Sequence, residues 1–436
     1  MMSGIIIGTA FVALRQLAPR DGTPLFFWLL GAVAVGYLLV VRELFQKRYP
    51  SRPLLICALA LALLWRLPLA LAPVGRDADI YRYLWDARVQ RAGLNPYRAR
   101  ADDPALAWLH TPLTRRMNNP DVPSPYPPVA QLYFRAVTAL HESPEALKIS
   151  FVVCEGLLVL VMWRGLVWRG RDPSWVLAYA WHPLATLETA RNGHLDVFGV
   201  LLLSLSVLAL LRGARSGASV WFALAVGAKL FPIVLAPLYW RRVRSLDALL
   251  GVVVLLLITA PFAVGGGRGA GSVPDVIDRF RFNAPWFEWI ETGAGAWGAA
   301  AVALALGLAA SVAGRRWDPA RTPGVWAWPQ AVVVAASPIV YPWYLLWTLP
   351  FLNRAGTLPL LVWSLSIIPV YCVWPAFVRG APWRVPDAIL LLEYGPPLIV
   401  AAYCAWKVRR TPGSRAAPAP HGEMSRAAAA VESNGD

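Results

Sequence analysis

Between Gly75 and Tyr97 the chain reads GRDADIYRYLWDARVQRAGLNPY. Asp77, Asp79 and Asp86 stand there among Arg82, Arg88 and the rings of Tyr81, Tyr83 and Trp85, directly after an apolar run. Charges held at the mouth of a membrane segment are costly and mark a functional site. At helical spacing, positions 79, 82, 83 and 86 share one face, which presents Asp79, Arg82, Tyr83 and Asp86. A carboxylate there can take a proton from an acceptor hydroxyl, and a neighbouring guanidinium can hold a phosphate bidentately. The same spacing also suits an Arg82–Asp86 pair on a solvated helix.

A second polar island, Glu188, Asn192, His194 and Asp196, lies between two apolar segments. Its side chains can bind sugar hydroxyls or orient the first-loop aspartate. As a capped turn, it would instead start the next helix at Asp196. With one His among these four positions, no metal ligand set is assigned, although a Mg or Mn ion on oxygen ligands is left open. Arg191, Arg279 and Arg281, with Arg379 and Arg384, are further cations for a phosphate. Lys229, in an apolar run beside Pro232, joins them if the run opens onto a cavity. Tyr341 and Trp343 can stack on a sugar ring or form an interfacial aromatic belt. The stretch Arg279–Glu288 is expected to be an amphipathic helix over the cavity.

The elements that must position these residues follow from composition. Hydrophobic residues make up 57% of the 436 positions and charged residues 15%, whereas a soluble domain is about 25% charged. Apolar runs at Pro24–Glu43, Pro53–Val74, Ile149–Trp163, Trp175–Leu187, Val197–Leu211, Ala218–Trp240, Leu246–Val264, Ala296–Ala313, Val325–Val340, Trp343–Leu352, Thr357–Trp374 and Ala388–Trp406 predict an all-α, polytopic membrane protein of about 11–13 crossings. Several runs fall short of the roughly 20 residues that span a bilayer, which is tolerated where they line a protein cavity. Ala218–Trp240 has basic joints at both ends and reads as two half-length helices meeting near Lys229–Pro232. Pro127–Leu140 carries Arg135 and reads as a half-embedded or surface helix.

The net charge of +16 does not point to nucleic acid. The cations sit in short joints at 42–52, 164–171, 212–215, 241–244, 315–321 and 407–410, as the positive-inside rule produces. With those joints inside, the loops at 75–126, 188–196, 265–295, 338–343 and 375–387 all face outward. Every residue named for chemistry then lies at one end, apart from Lys229, which its half-helices must bring there. Cys57, Cys154, Cys372 and Cys404 lie in apolar runs without CxxC spacing and read as core residues. The first twenty residues lack a basic n-region and a cleavage pattern, so they read as a short membrane helix or interfacial anchor. Residues 1–408 form the membrane domain, and 409–436 are expected to be a disordered cytoplasmic tail.

A family resemblance adds to this reading. Asp79-Ile-Tyr-Arg-Tyr83 followed by Gly93-Leu-Asn-Pro-Tyr97 resembles the first-loop signature of polyprenol-phosphate-mannose-dependent mannosyltransferases of the GT-C superfamily, of the alpha-1,6-mannosyltransferase-like membrane type. That signature is Asp-x-Tyr-x-Tyr, then Gly-x-x-Pro-Tyr. The resemblance continues through Ser124-Pro-Tyr-Pro-Pro128, through Glu188 and Asn192-Gly-His-Leu-Asp196, and ends in Ser337-Pro-Ile-Val-Tyr-Pro-Trp-Tyr344. It covers most of residues 53–400, in order. Tyr341–Tyr344 departs from the family, where a His commonly occupies this neighbourhood.

The resemblance implies an outer-face site, a lipid-phosphate sugar donor and a first-loop aspartate as general base. Asp79 matches the Asp-x-Tyr-x-Tyr form and is favoured. Asp77, four residues before the Tyr, matches phosphatidylinositol-mannoside-type relatives. The expected function is transfer of a mannosyl or similar hexosyl residue from polyprenyl phosphate to a lipid-linked or cell-envelope glycan, at the outer face of the plasma (inner) membrane. The expected partners are that donor, the glycan acceptor and the bilayer. A transporter or flippase using the same cavity is the alternative, but it tends to show matched halves and midplane charges; no internal duplication is visible.

Overall fold

The structure, a computed structural model, describes residues 2–75, 79–263, 271–352 and 355–410. Asp77 and the tail from Thr411 to Asp436 lie outside the described residues. Among those described, regular structure is helical throughout, with one isolated bridge between Phe282 and Ile339.

Among the described residues, seven helical stretches are long and apolar enough to cross a membrane: α2 (Pro24–Phe45), α3 (Arg52–Ala70), α6 (Pro144–Trp168), α9 (Ser245–Ala263), α10 (Pro285–Gly314), α12 (Leu358–Val378) and α13 (Asp387–Lys407). Three shorter apolar helices join them: α1 (Met2–Leu17), α7 (Asp196–Leu211) and α11 (Gly324–Ala335). Leu249, Val252, Val253, Leu256 and Leu257 of α9 all face outward, which is stable only against lipid. The chain is therefore an all-α polytopic membrane protein. The N-terminal run is a helix, α1, whose Ile7, Ala10, Phe11 and Leu14 are buried.

The broken segments are where the architecture departs from simple crossings. Residues 173–192 climb in a 3-10 turn, two four-residue helices and a π-helical turn, Leu187–Asn192. Residues 342–351 are two 3-10 turns. Residues 215–240 double back. Helix α8 (Arg215–Ala228) ends where Lys229 turns extended, with φ −155° and ψ 136°, and Phe231–Tyr239 returns. Ser206 fixes the return, since its hydroxyl donates to Ala218 O at 2.6 Å and lies 2.7 Å from Tyr239 Oη. Two half-length pieces meeting near Lys229 were expected.

The stretch Arg279–Glu288 is not the continuous helix expected of it. A helix at Val273–Arg279 stops there, Phe282 bridges to Ile339, Asn283 adopts φ 54°, and α10 restarts at Pro285. Proline at a first helical turn starts a new helix, and pairing with residues 338–340 overrides the local periodicity.

Loops meet in two groups. Arg191 reaches Asp21, Asp121 reaches Arg279, and Phe282 stacks on Trp383. The basic joints gather separately: Arg242 donates to the carbonyls of Arg315 and Trp317, and Arg212 lies over Trp168.

Candidate active site

The chain positions Asp79 at the first residue of α4 (Asp79–Arg91), where the helix dipole favours an acidic side chain. Ten of the thirteen residues of α4 are buried, because the following loop and α5 (Pro128–Leu140) wrap it. That wrapping divides the face that helical spacing had grouped. Arg82 donates to the carbonyls of Val122 (3.2 Å), Asn118 (3.0 Å) and Asn119 (2.5 Å). It therefore ties down its own loop and is not turned to a phosphate. Asp86 is 1% exposed and accepts from the Ser124 hydroxyl and from Gln131 Nε2, so it does not contact substrate as expected. Burial raises its carboxyl to about 6, against the opposing influence of Arg82, Ser124 and Gln131. Tyr83 is likewise enclosed, stacked on Phe134 with centroids 4.3 Å apart, its hydroxyl accepting from Leu195 N at 3.4 Å.

Asp79 alone of this set stays reachable, its side chain 30% exposed. Its Oδ2 accepts from the Tyr126 hydroxyl at 3.1 Å and lies 3.9 Å from His194 Nδ1. The other ring nitrogen of His194 lies 3.1 Å from Glu188 Oε2, and Asn192 Nδ2 donates to the same oxygen at 3.1 Å. Glu188 is fully buried, and desolvation raises its carboxyl, countered by His194 and Asn192. The π-helical turn delivers Glu188 and Asn192, and His194 follows directly after it; such bulges recur at functional sites. Gly193 ends the turn at φ 76°, and a Cβ there would lie 2.8 Å from Ile80 and Lys148. Both conformation and space demand glycine.

Tyr341 and Trp343 close the site from the far end of the chain. Trp343 stacks on His194 at 3.8 Å and Tyr341 stacks on Trp343 at 4.2 Å. Lys229 and Asp196 form a neighbouring pair. Lys229 Nζ lies 2.6 Å from Asp196 Oδ1, which also accepts from Trp347 Nε1 at 2.7 Å. The ammonium sits 3.9 Å above the Tyr344 ring.

Tyr341 also lines a cavity of about 890 Å³. Arg15, Arg20, Arg116 and Arg191 line it, with Asp21, Tyr81, Trp374 and Trp383. Arg116 stands 4.6 Å over the Tyr81 ring, and Arg191 is held by Asp21 and Pro19 O, both at 2.8 Å. An anionic group entering this space meets guanidinium donors whose fork matches phosphate oxygens. Arg279 and Arg281, expected to join them, pair instead with Asp121 and Asp275, and with Glu291. The residues that sequence reasoning passed over are Tyr126, Arg15, Arg20 and Arg116. Tyr126 sat inside the Ser124–Pro128 run, whereas nothing local marked the arginines. Among the described residues no three His, Cys, Asp or Glu side chains converge at metal-ligand spacing.

A family model described as alpha-(1->6)-mannopyranosyltransferase, N-terminal domain, matches residues 10–243. That is more than half of the chain, and it includes Asp79, Glu188, His194 and Lys229. A curated relative, the probable alpha-(1->6)-mannopyranosyltransferase of Mycolicibacterium smegmatis, is 32% identical over 143 residues, which cover 32% of this chain and 24% of that protein. The match thus spans about a quarter of the relative's length. Among solved structures, ArnT from Cupriavidus metallidurans bound to undecaprenyl phosphate aligns with a TM-score of 0.45 and 16% identity, over 81% of this chain and 74% of that one.

Proposed function

The chain belongs to the alpha-(1->6)-mannopyranosyltransferase family, and we propose that it moves a mannosyl or similar hexosyl residue from a polyprenyl-phosphate donor to a lipid-linked or cell-envelope glycan, with Asp79 as general base. The observation that carries the reading is the setting of Asp79. It is the partly exposed carboxylate of α4, bonded to Tyr126 and faced by His194, and His194, Trp343 and Tyr341 stack in series to the arginine-lined cavity.

In this reaction the acceptor hydroxyl attacks the anomeric carbon and passes its proton to Asp79. The bond from that carbon to the phosphate oxygen breaks, and the lipid phosphate departs with the electron pair. Attack and departure on opposite faces invert the anomeric centre through an oxocarbenium-like transition state. A phosphate leaving group needs no strong acid; it needs positive charge that is already in place. Arg116 and Arg191, with Arg15 and Arg20 beside them, are suited to hold it. Tyr341 and Trp343 offer aromatic faces to a sugar. The basic joints gather away from this site, so the positive-inside bias supports an active site at the outer face of the plasma membrane, within a GT-C-like arrangement.

Membranes carrying wild-type protein or Asp79→Asn, incubated with radiolabelled polyprenyl-phosphate mannose and a glycolipid extract, test the proposal. The variant is expected to insert normally and to lose at least about a hundredfold in transfer, the usual worth of a positioned base. Wild-type-like transfer by Asp79→Asn would overturn the assignment.

A further inference from the structure

We propose that a groove at the basic end of the bundle binds one anionic phospholipid of the surrounding bilayer. The groove, about 610 Å³, lies between α8, the arm returning from Lys229, and α9. Its wall is apolar, formed by side chains such as Phe222, Val226, Ile233 and Leu255, and its mouth carries Arg241 and Arg244. Phe222 stacks on Tyr239 with centroids 4.4 Å apart, which gives acyl chains a fixed surface to lie against.

The charge at its mouth separates this groove from ordinary lipid-facing surface. Asp247 binds Arg244 at 2.9 and 3.2 Å, and Asp318 lies near enough to act on Arg242. Arg242 is turned to the carbonyls of Leu238, Arg315 and Trp317. Arg241 is exposed at the rim.

Basic pockets between membrane helices at the positively charged end select anionic headgroups. A zwitterionic lipid would bring its own ammonium toward these arginines and forfeit the gain. The hairpin that forms the groove also carries Lys229 at its tip, but the binding inference does not depend on any reaction there.

The test uses purified full-length protein, delipidated in detergent and titrated with dioleoylphosphatidylglycerol or dioleoylphosphatidylcholine. Native mass spectrometry counts the lipids retained, and thermal unfolding reports stabilisation. One phosphatidylglycerol should survive activation that strips phosphatidylcholine, and it alone should raise the unfolding midpoint saturably. Arg241→Gln should weaken it about fivefold, the worth of one basic residue near a headgroup. Ala223→Phe, which fills the groove wall, should abolish retention while leaving the lipid-free midpoint within a few degrees. Equal retention of both lipids, or wild-type phosphatidylglycerol binding by Arg241→Gln, would refute the site. If Ala223→Phe fails to fold, Arg241→Glu at the exposed rim decides in its place. None of these readouts involves sugar transfer, so they stand or fall separately from the transferase reading.

Discussion

The imidazole of His194 lies flat against the indole of Trp343, with centroids 3.8 Å apart and planes 13° from parallel. The stack fixes the ring so that one nitrogen faces Glu188 and the other faces Asp79. Residues 341–344 hold no histidine, yet the turn at 188–194 supplies one to the same place. His194 is 1% exposed, so in the proposed reaction it would position Asp79 and would not itself meet the acceptor. His194→Gln is expected to lower kcat about a hundredfold, the cost of a misplaced reacting group, with donor KM little changed. A rise in KM at unaltered kcat would assign His194 to donor binding instead.

Much of this site was legible because membrane burial leaves polar residues few places to go. The islands at Asp79, Glu188–Asp196 and Tyr341–Trp343 stood out against apolar flanks, and they do meet. The assignments within α4 were not legible. Helical spacing groups Asp79, Arg82 and Asp86, but the partners that separate them, Asn118–Val122, Ser124 and Gln131, lie 36 to 45 residues away. Of the cavity arginines, Arg191 was legible beside the second polar island, whereas Arg15, Arg20 and Arg116 were not, because only the fold brings them to the same cavity.

The buried Asp86 makes stability depend on pH. Its folded pKa of about 6 lies above the ordinary 3.8, so between these values the folded state binds the proton more tightly than the unfolded one. Stability contributed by the protonated form is complete below about pH 4 and is lost as pH rises through 6, a change of about 3 kcal/mol. Asp86→Asn is expected to flatten this component. The difference in thermal midpoint between pH 4.5 and pH 7.5 should shrink relative to wild type. An identical pH dependence in the variant would show that Asp86 is not its source.

Arg66 of α3 binds Glu155 of α6 through two contacts, Nε to Oε2 at 2.6 Å and Nη2 to Oε1 at 2.9 Å, with both side chains nearly inaccessible. Removing one partner strands the other charge, a loss of about 3–5 kcal/mol. Glu155→Leu alone should therefore unfold well below wild type. Arg66→Met combined with Glu155→Leu should recover most of the loss, because a packed apolar pair replaces the ionic one. Thermal unfolding of the two single variants and the double variant measures the coupling. Simple additivity of the single losses would show that the two charges do not act as a pair.

Lys229 connects the doubled-back hairpin to the site. Its ammonium is fixed by Asp196 and covered by the Tyr344 ring, and 18% of the side chain remains exposed. A lysine so held supplies a charge without reorganising when negative charge develops nearby. If that charge is the departing phosphate, Lys229→Met should lower kcat by about a hundredfold to a thousandfold, as loss of one preorganised donor does. Lys229→Arg should retain part of the activity. Asp196→Asn leaves Lys229 without its anchoring charge and should fall between wild type and Lys229→Met. Transfer assays on the three variants, with thermal midpoints measured alongside, separate this role from a structural one. A Lys229→Met protein that unfolds like wild type and transfers like wild type would remove Lys229 from the reaction.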